Sequence, residues 1–109
     1  MATLFQTALI NNVGTTVTQA IAAPSNGTIT VLGLSLTNLT QSIVQGSVIV
    51  GNGASTSAYY AYQITIPPNT SLRLVNGGER LTLASSYTLS LQSNQNNSLD
   101  AIVSYVEVL

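Results

Sequence analysis

The sequence has no cysteine, histidine, tryptophan or lysine. Without cysteine there is no disulfide framework and no thiolate nucleophile. Without histidine there is no imidazole titrating near neutrality, and the two absences together remove the ordinary ligands of a zinc site. Without lysine no Schiff base can form. Charge is almost as scarce: 5% of the 109 residues are Asp, Glu, Lys or Arg, against roughly 25% in an ordinary soluble domain. The five are Arg73, Glu79, Arg80, Asp100 and Glu107, with a net charge of -1. Two arginines in one segment make no basic stripe for phosphates, so nucleic acid is not an expected partner. No apolar run approaches the roughly 18 residues of a membrane-spanning helix, and Met1 to Thr7 lacks the charged start of a signal peptide. The expectation is a soluble protein made in the cytoplasm, with no membrane partner.

These shortages bear directly on catalysis. Only Glu79, Asp100 and Glu107 could serve as acids or bases. An odd spacing in one regular strand puts Asp100 and Glu107 on opposite faces, which denies them a paired role. The glycines at 51, 53, 77 and 78 fit neither GxGxxG nor GxxxxGK, and they lie among strand runs rather than before a helix, so they read as turn glycines. Asn-x-Ser/Thr triplets at Asn26, Asn38, Asn69 and Asn96 are what so Ser-, Thr- and Asn-rich a chain yields by chance. The sequence therefore predicts no catalytic residue, no cofactor and no metal, and a protein that is not an enzyme.

What the sequence has is strand signal. Thr, Val, Ile, Leu and Tyr come in short runs separated by Asn, Gly, Pro and Ser. Leu4 to Ile10 and Thr15 to Ala22, joined through Asn11 to Gly14, suggest a hairpin with Leu4 opposite Ile21 and Ala8 opposite Val17. From Thr28 to Asn38 the apolar phase switches, Ile29 and Val31 being odd and Leu32, Leu34 and Leu36 even, which predicts a β-bulge near Gly33. Tyr60, Tyr62, Ile64 and Ile66 alternate with Ala61, Gln63 and Thr65 until Pro67 and Pro68 end the run. A second hairpin is expected to set Leu72 opposite Leu83 and Leu74 opposite Leu81, turning through Asn76 to Glu79. The last run, from Leu99 onward, is apolar on both faces, as befits a central strand or one covered by another subunit. The prediction is one antiparallel β-sandwich domain spanning 1–109, with eight or nine short strands in a jelly-roll-like or immunoglobulin-like topology.

A nearly uncharged, wettable surface repels little, so association with itself or with a partner is expected. The candidate interface residues are Tyr59, Arg73, Glu79, Arg80 and Tyr105. Arg73, Glu79 and Arg80 form either a small ion-pair cluster or a contact point on a partner. Tyr59, Tyr60 and Tyr62 could make a sugar-stacking platform, but the parity of Tyr60 and Tyr62 assigns them to the core and leaves Tyr59 as the exposed ring.

The C-terminal half carries a resemblance. Ile66-Pro67-Pro68-Asn69-Thr70-Ser71-Leu72, Gly77-Gly78-Glu79-Arg80-Leu81-Thr82-Leu83 and Asn97 to Glu107 resemble small virion structural proteins of tailed bacteriophages, including those of cyanobacterial and marine phages. The strand Thr30 to Asn38, ending in Asn before a polar turn, is similar to them as well. The resemblance implies a virion component that binds the major capsid protein or other virion proteins: a capsid cement or decoration protein, which as a homo-oligomer would be a trimer or a dimer, or an accessory at the neck or tail. A carbohydrate-binding module is the alternative from another class.

Overall fold

The computed structural model describes residues 3–53, 55–75 and 80–109. Nine strands form among them: β1 (Thr3–Val13), β2 (Thr18–Ala22), β3 (Thr28–Asn38), β4 (Val44–Gly51), β5 (Ser57–Ile66), β6 (Ser71–Val75), β7 (Leu81–Leu83), β8 (Thr88–Ser93) and β9 (Leu99–Val108). One sheet has the order β1-β9-β3-β6, with β7 also paired to β3, and the other the order β2-β8-β4-β5. Every pairing is antiparallel. When β6 and β7 are taken as two pieces of one interrupted edge strand, eight successive strands occupy the two sheets in the jelly-roll order. This decides between the two topologies that the sequence allows.

The winding explains why both expected hairpins are absent. In a jelly roll consecutive strands mostly alternate between sheets, and among the described residues only β4 and β5 are both consecutive in the chain and paired. Leu4 therefore lies opposite Glu107 and Ala8 opposite Val103, while Ile21 lies opposite Leu89 in the other sheet. The segment expected to turn instead crosses over. Asn12, in the left-handed region at φ 55, donates its N–H to Asp100 Oδ1 at 3.0 Å. Thr15 then donates its N–H to Asn96 Oδ1 at 3.1 Å and accepts Gln92 Nε2 at 2.9 Å. The second correction concerns the leucines: Leu72 faces Leu36 and Leu83 faces Ile29, because the eleven-residue β3 is long enough to take β6 and β7 end to end along one edge. The proposed turn, Asn76 to Glu79, lies outside the described residues.

The core fills the space between the sheets with Val, Leu and Ile from all layers, including Ile29, Val31, Leu34, Leu36, Val48, Ile66, Leu83, Leu89, Leu91, Leu99 and Val103. The phase switch in β3 is real. Val31 pairs with Tyr105 and Gly33 with Ser104, so Leu32 is the extra residue of a bulge that keeps both Val31 and Leu34 inward. The central position of β9, between β1 and β3, agrees with its apolar character.

At one end of the sandwich the buried Asn38 stitches the loops together. Its Nδ2 donates to the carbonyls of Ser42, Ile66 and Pro67 at 2.9, 3.0 and 3.1 Å, and its Oδ1 accepts Thr40 N–H and Oγ1, both at 2.8 Å. With two hydrogens for three carbonyls, one of those contacts is shared. At that same end Ser93 and Ser98 share a buried hydroxyl pair, and Ser98 N–H donates to Val13 O at 3.1 Å. Such satisfied buried groups specify one arrangement of the loops.

Candidate assembly surfaces

Alternation along a strand gives each sheet an inner and an outer face. On the five-stranded sheet the inner parity of β1 is Leu4, Gln6, Ala8 and Ile10, and the outer parity is Thr3, Phe5, Thr7 and Leu9. The inner parity agrees with the sequence reading, although the partner strand does not. Phe5 pairs with Val106 and Leu9 with Ile102, so four apolar side chains stand in two cross-strand pairs on the outside. Phe5 is 77% exposed and Leu9 76%. Clefts of about 440 and 240 Å³ flank Ile102, one reaching Leu9 and Asn11 and the other Gly33, Ser35 and Arg73. Few single-domain surfaces leave large apolar side chains this open without a partner.

The edge of this sheet is equally open. Among the described residues β1 pairs only with β9, so one side of an eleven-residue strand presents its backbone groups outward. Edge strands are usually guarded by Lys, Pro or an inward charge. Thr3–Val13 contains none of these. Residues Phe5 and Leu9 were not singled out from the sequence; the signal available there was that apolar residues occupy both parities of the first run.

On the opposite side of the molecule, the outer face of β2-β8-β4-β5, lies a polar groove of about 400 Å³. Two bulges in β5 build its rim. Gly46 pairs with Ile64 and Val48 with Ala61, so Tyr62 and Gln63 share Ser47 as their opposite, and a second shift makes Tyr60 the extra residue between the Ala61 and Tyr59 pairs. Gln63 sits at φ 48 and donates its N–H to Ser47 Oγ at 2.9 Å. These bulges overturn the expected burial of Tyr60 and Tyr62, whose phase is broken before it reaches the core. Tyr62 is 59% exposed, more than Tyr59 at 51%, and Tyr60 lies at 37% with its hydroxyl donating to Leu74 O at 3.4 Å. The rings of Tyr59 and Tyr62 meet edge to face, with centroids 4.5 Å apart and planes at 68°.

The remaining candidate residues scatter. Arg73 is exposed on the outer face of β6 opposite Ser35, and Arg80 is exposed just before β7. Glu79, the acid of the expected charge cluster, lies outside the described residues. Tyr105 points inward, packs against the core and donates its hydroxyl to Gln6 Oε1 at 3.3 Å across β1 and β9. Asp100 and Glu107 lie at opposite parities of the regular strand β9, as their spacing requires.

No family model matches the chain, and no curated protein matches it in sequence. Solved structures do share its architecture. A chain of the acidic stable capsid structure of Helicobacter pylori bacteriophage KHP30 aligns over 100% of this chain and 94% of its own length, with a TM-score of 0.57 and 18% identity. A chain from Bacillus endospore appendages, described as a novel family of disulfide-linked pili, aligns over 96% of this chain and 86% of its own, with a TM-score of 0.55 and 13% identity. At such identities the likeness is one of fold.

Proposed function

We propose that the chain is a non-enzymatic virion structural protein, a capsid cement or decoration protein that attaches to the major capsid protein. The carrying observation is the outer face of the five-stranded sheet, where Phe5, Leu9 and Ile102 are exposed beside an unguarded edge. Burying such a face removes apolar area from water and, with Asp100 and Arg73 the charged groups beside it among the described residues, desolvates few ions, which is the costly step in forming an interface. The edge of β1, about 37 Å long at roughly 3.4 Å per residue, offers backbone pairing to a neighbouring copy or a capsid strand. That supports a homo-oligomer in the virion, assembled after synthesis in the host cytoplasm. The two fold neighbours come from a phage capsid and a pilus, both built of repeated subunits, and this is consistent with the reading. With no cysteine in the chain, assembly here is non-covalent.

The test is cosedimentation with shells of the major capsid protein prepared without this chain. The native protein should bind in a saturating, high copy number. A Phe5→Asp/Leu9→Asp variant that melts like the native protein should stay in the supernatant. Undiminished binding by that variant would overturn the assignment of the face, and saturation at a dozen copies or fewer would move the protein to the neck or tail.

A further inference from the structure

We infer that the groove on the four-stranded sheet is a binding site for a neutral saccharide. Its rim is aromatic: Tyr59 and Tyr62 stand in water at an angle that forms a corner rather than a flat plate. Aromatic faces suit the C–H faces of pyranose rings, because each partner has an apolar face and polar edges. The floor and far wall are neutral hydrogen-bonding groups, with Gln45 and Gln63 on one side and Gln92 and Thr15 on the other. A carboxamide carries two donors and an acceptor with two lone pairs, which matches the alternate donor and acceptor demands of neighbouring hydroxyls.

The local bonding separates groups that hold the groove from groups left to bind. Gln92 is committed, its Nε2 donating to Thr15 O, and Ser47 is committed to Gln63 N–H. The side-chain amides of Gln45 and Gln63 make no hydrogen bond among the described residues, although their backbones are fixed: Gln45 N–H donates to Asn94 Oδ1 at 3.0 Å. Their donors and acceptors are therefore open to a ligand without breaking a bond inside the protein, at the cost of ordering two side chains on a fixed backbone.

Absence of charge selects the ligand class. Among the described residues no Asp, Glu, Arg or Lys lines the groove, so a sialylated, uronic or phosphorylated sugar would lose hydration around its charge and gain no counter-charge. The volume, about 400 Å³, falls in the range of roughly 300 to 1,000 Å³ typical of small-ligand sites. The β5 bulges give a second, independent indication. They carry Gln63 at positive φ, a conformation uncommon for a residue other than glycine, and they turn Tyr62 into the groove from a strand whose parity would bury it. The groove also lies on the sheet opposite the apolar face, so a copy fixed by β1 and β9 would hold it outward.

The experiment is a glycan array displaying neutral and acidic glycans, probed with the labelled full chain, followed by NMR titration with the strongest neutral hit. At least one neutral glycan should bind, with shifts confined to β4, β5 and β8, and binding should be unchanged in 0.5 M NaCl. Tyr62→Ala and Tyr59→Ala should each weaken it about tenfold or more. Should either alanine variant lose its fold, Tyr62→Leu, which keeps apolar bulk without a ring face, decides the point. An array with no neutral hit, a preference for acidic glycans, or full binding by Tyr62→Leu would each overturn the inference.

Discussion

Leu9 of β1 and Ile102 of β9 are register partners whose side chains both stand on the outer face of the five-stranded sheet, 76% and 48% exposed. Side chains that remain in water after folding contribute little to stability. Leu9→Thr and Ile102→Thr should each change the unfolding free energy by less than about 0.5 kcal/mol in urea titration, with an unchanged m-value. A loss of about 2 kcal/mol or more from Leu9→Thr would mean that this face is covered within a single copy.

Asn38 should behave in the opposite way. It is fully buried, and its carboxamide serves the Ile66 and Pro67 carbonyls, Ser42 O and Thr40 at once. Asn38→Ala strands several of these groups at about 1 to 3 kcal/mol each, less whatever water recovers, so a net loss of about 2 to 4 kcal/mol is expected. Asn38→Asp should be no better, because an oxygen then faces three carbonyl oxygens. Thermal melts of the two variants beside the native protein decide it, and a shift within error for either would contradict the role of Asn38 as the stitch.

The division between what the sequence displays and what it hides follows the physics of strands. Local signals were legible in part: the bulge at Leu32 and Gly33 is announced by the change of apolar parity, whereas β9, though central in its sheet, is covered on one face only and leaves Ile102 48% exposed on the other. Pairing partners were not. A strand's sequence records which of its faces is buried but carries little about which strand lies beside it, so Leu4 kept its face while exchanging Ile21 for Glu107. The tyrosines failed for a related reason. The bulges at Tyr60 and Gln63 invert parity without glycine or proline to announce them, so a run that reads as half core becomes the rim of a groove.

Leu74 of β6 and Leu83 of β7 separate the expected hairpin from the observed layout. Leu83, fully buried against the core opposite Ile29, should cost about 2 to 5 kcal/mol when changed to Ala. Leu74 sits at the bulge between the Val75 and Arg73 pairs with β3 and is only half-buried, so Leu74→Ala should cost about half as much. Equal losses from the two, measured by denaturant unfolding, would favour a symmetric hairpin over strands laid end to end.

Attachment to a shell through Phe5, Leu9, Ile102 and the β1 edge also has a salt signature. Thr3–Val13 carries no charged residue, and the nearest charged groups on this face are Asp100, engaged by Asn12 N–H, and Arg73 on β6. At 1 M salt the reach of a charge shrinks to about 3 Å, while apolar burial and backbone pairing persist. Particles washed in 1 M NaCl should therefore keep the protein as fully as particles washed at low salt, and release should require denaturant. Release by salt alone would mean that Arg73 or Arg80 carries the contact. In that case Arg73→Gln or Arg80→Gln would abolish binding at low salt, where Phe5→Asp/Leu9→Asp would leave it intact.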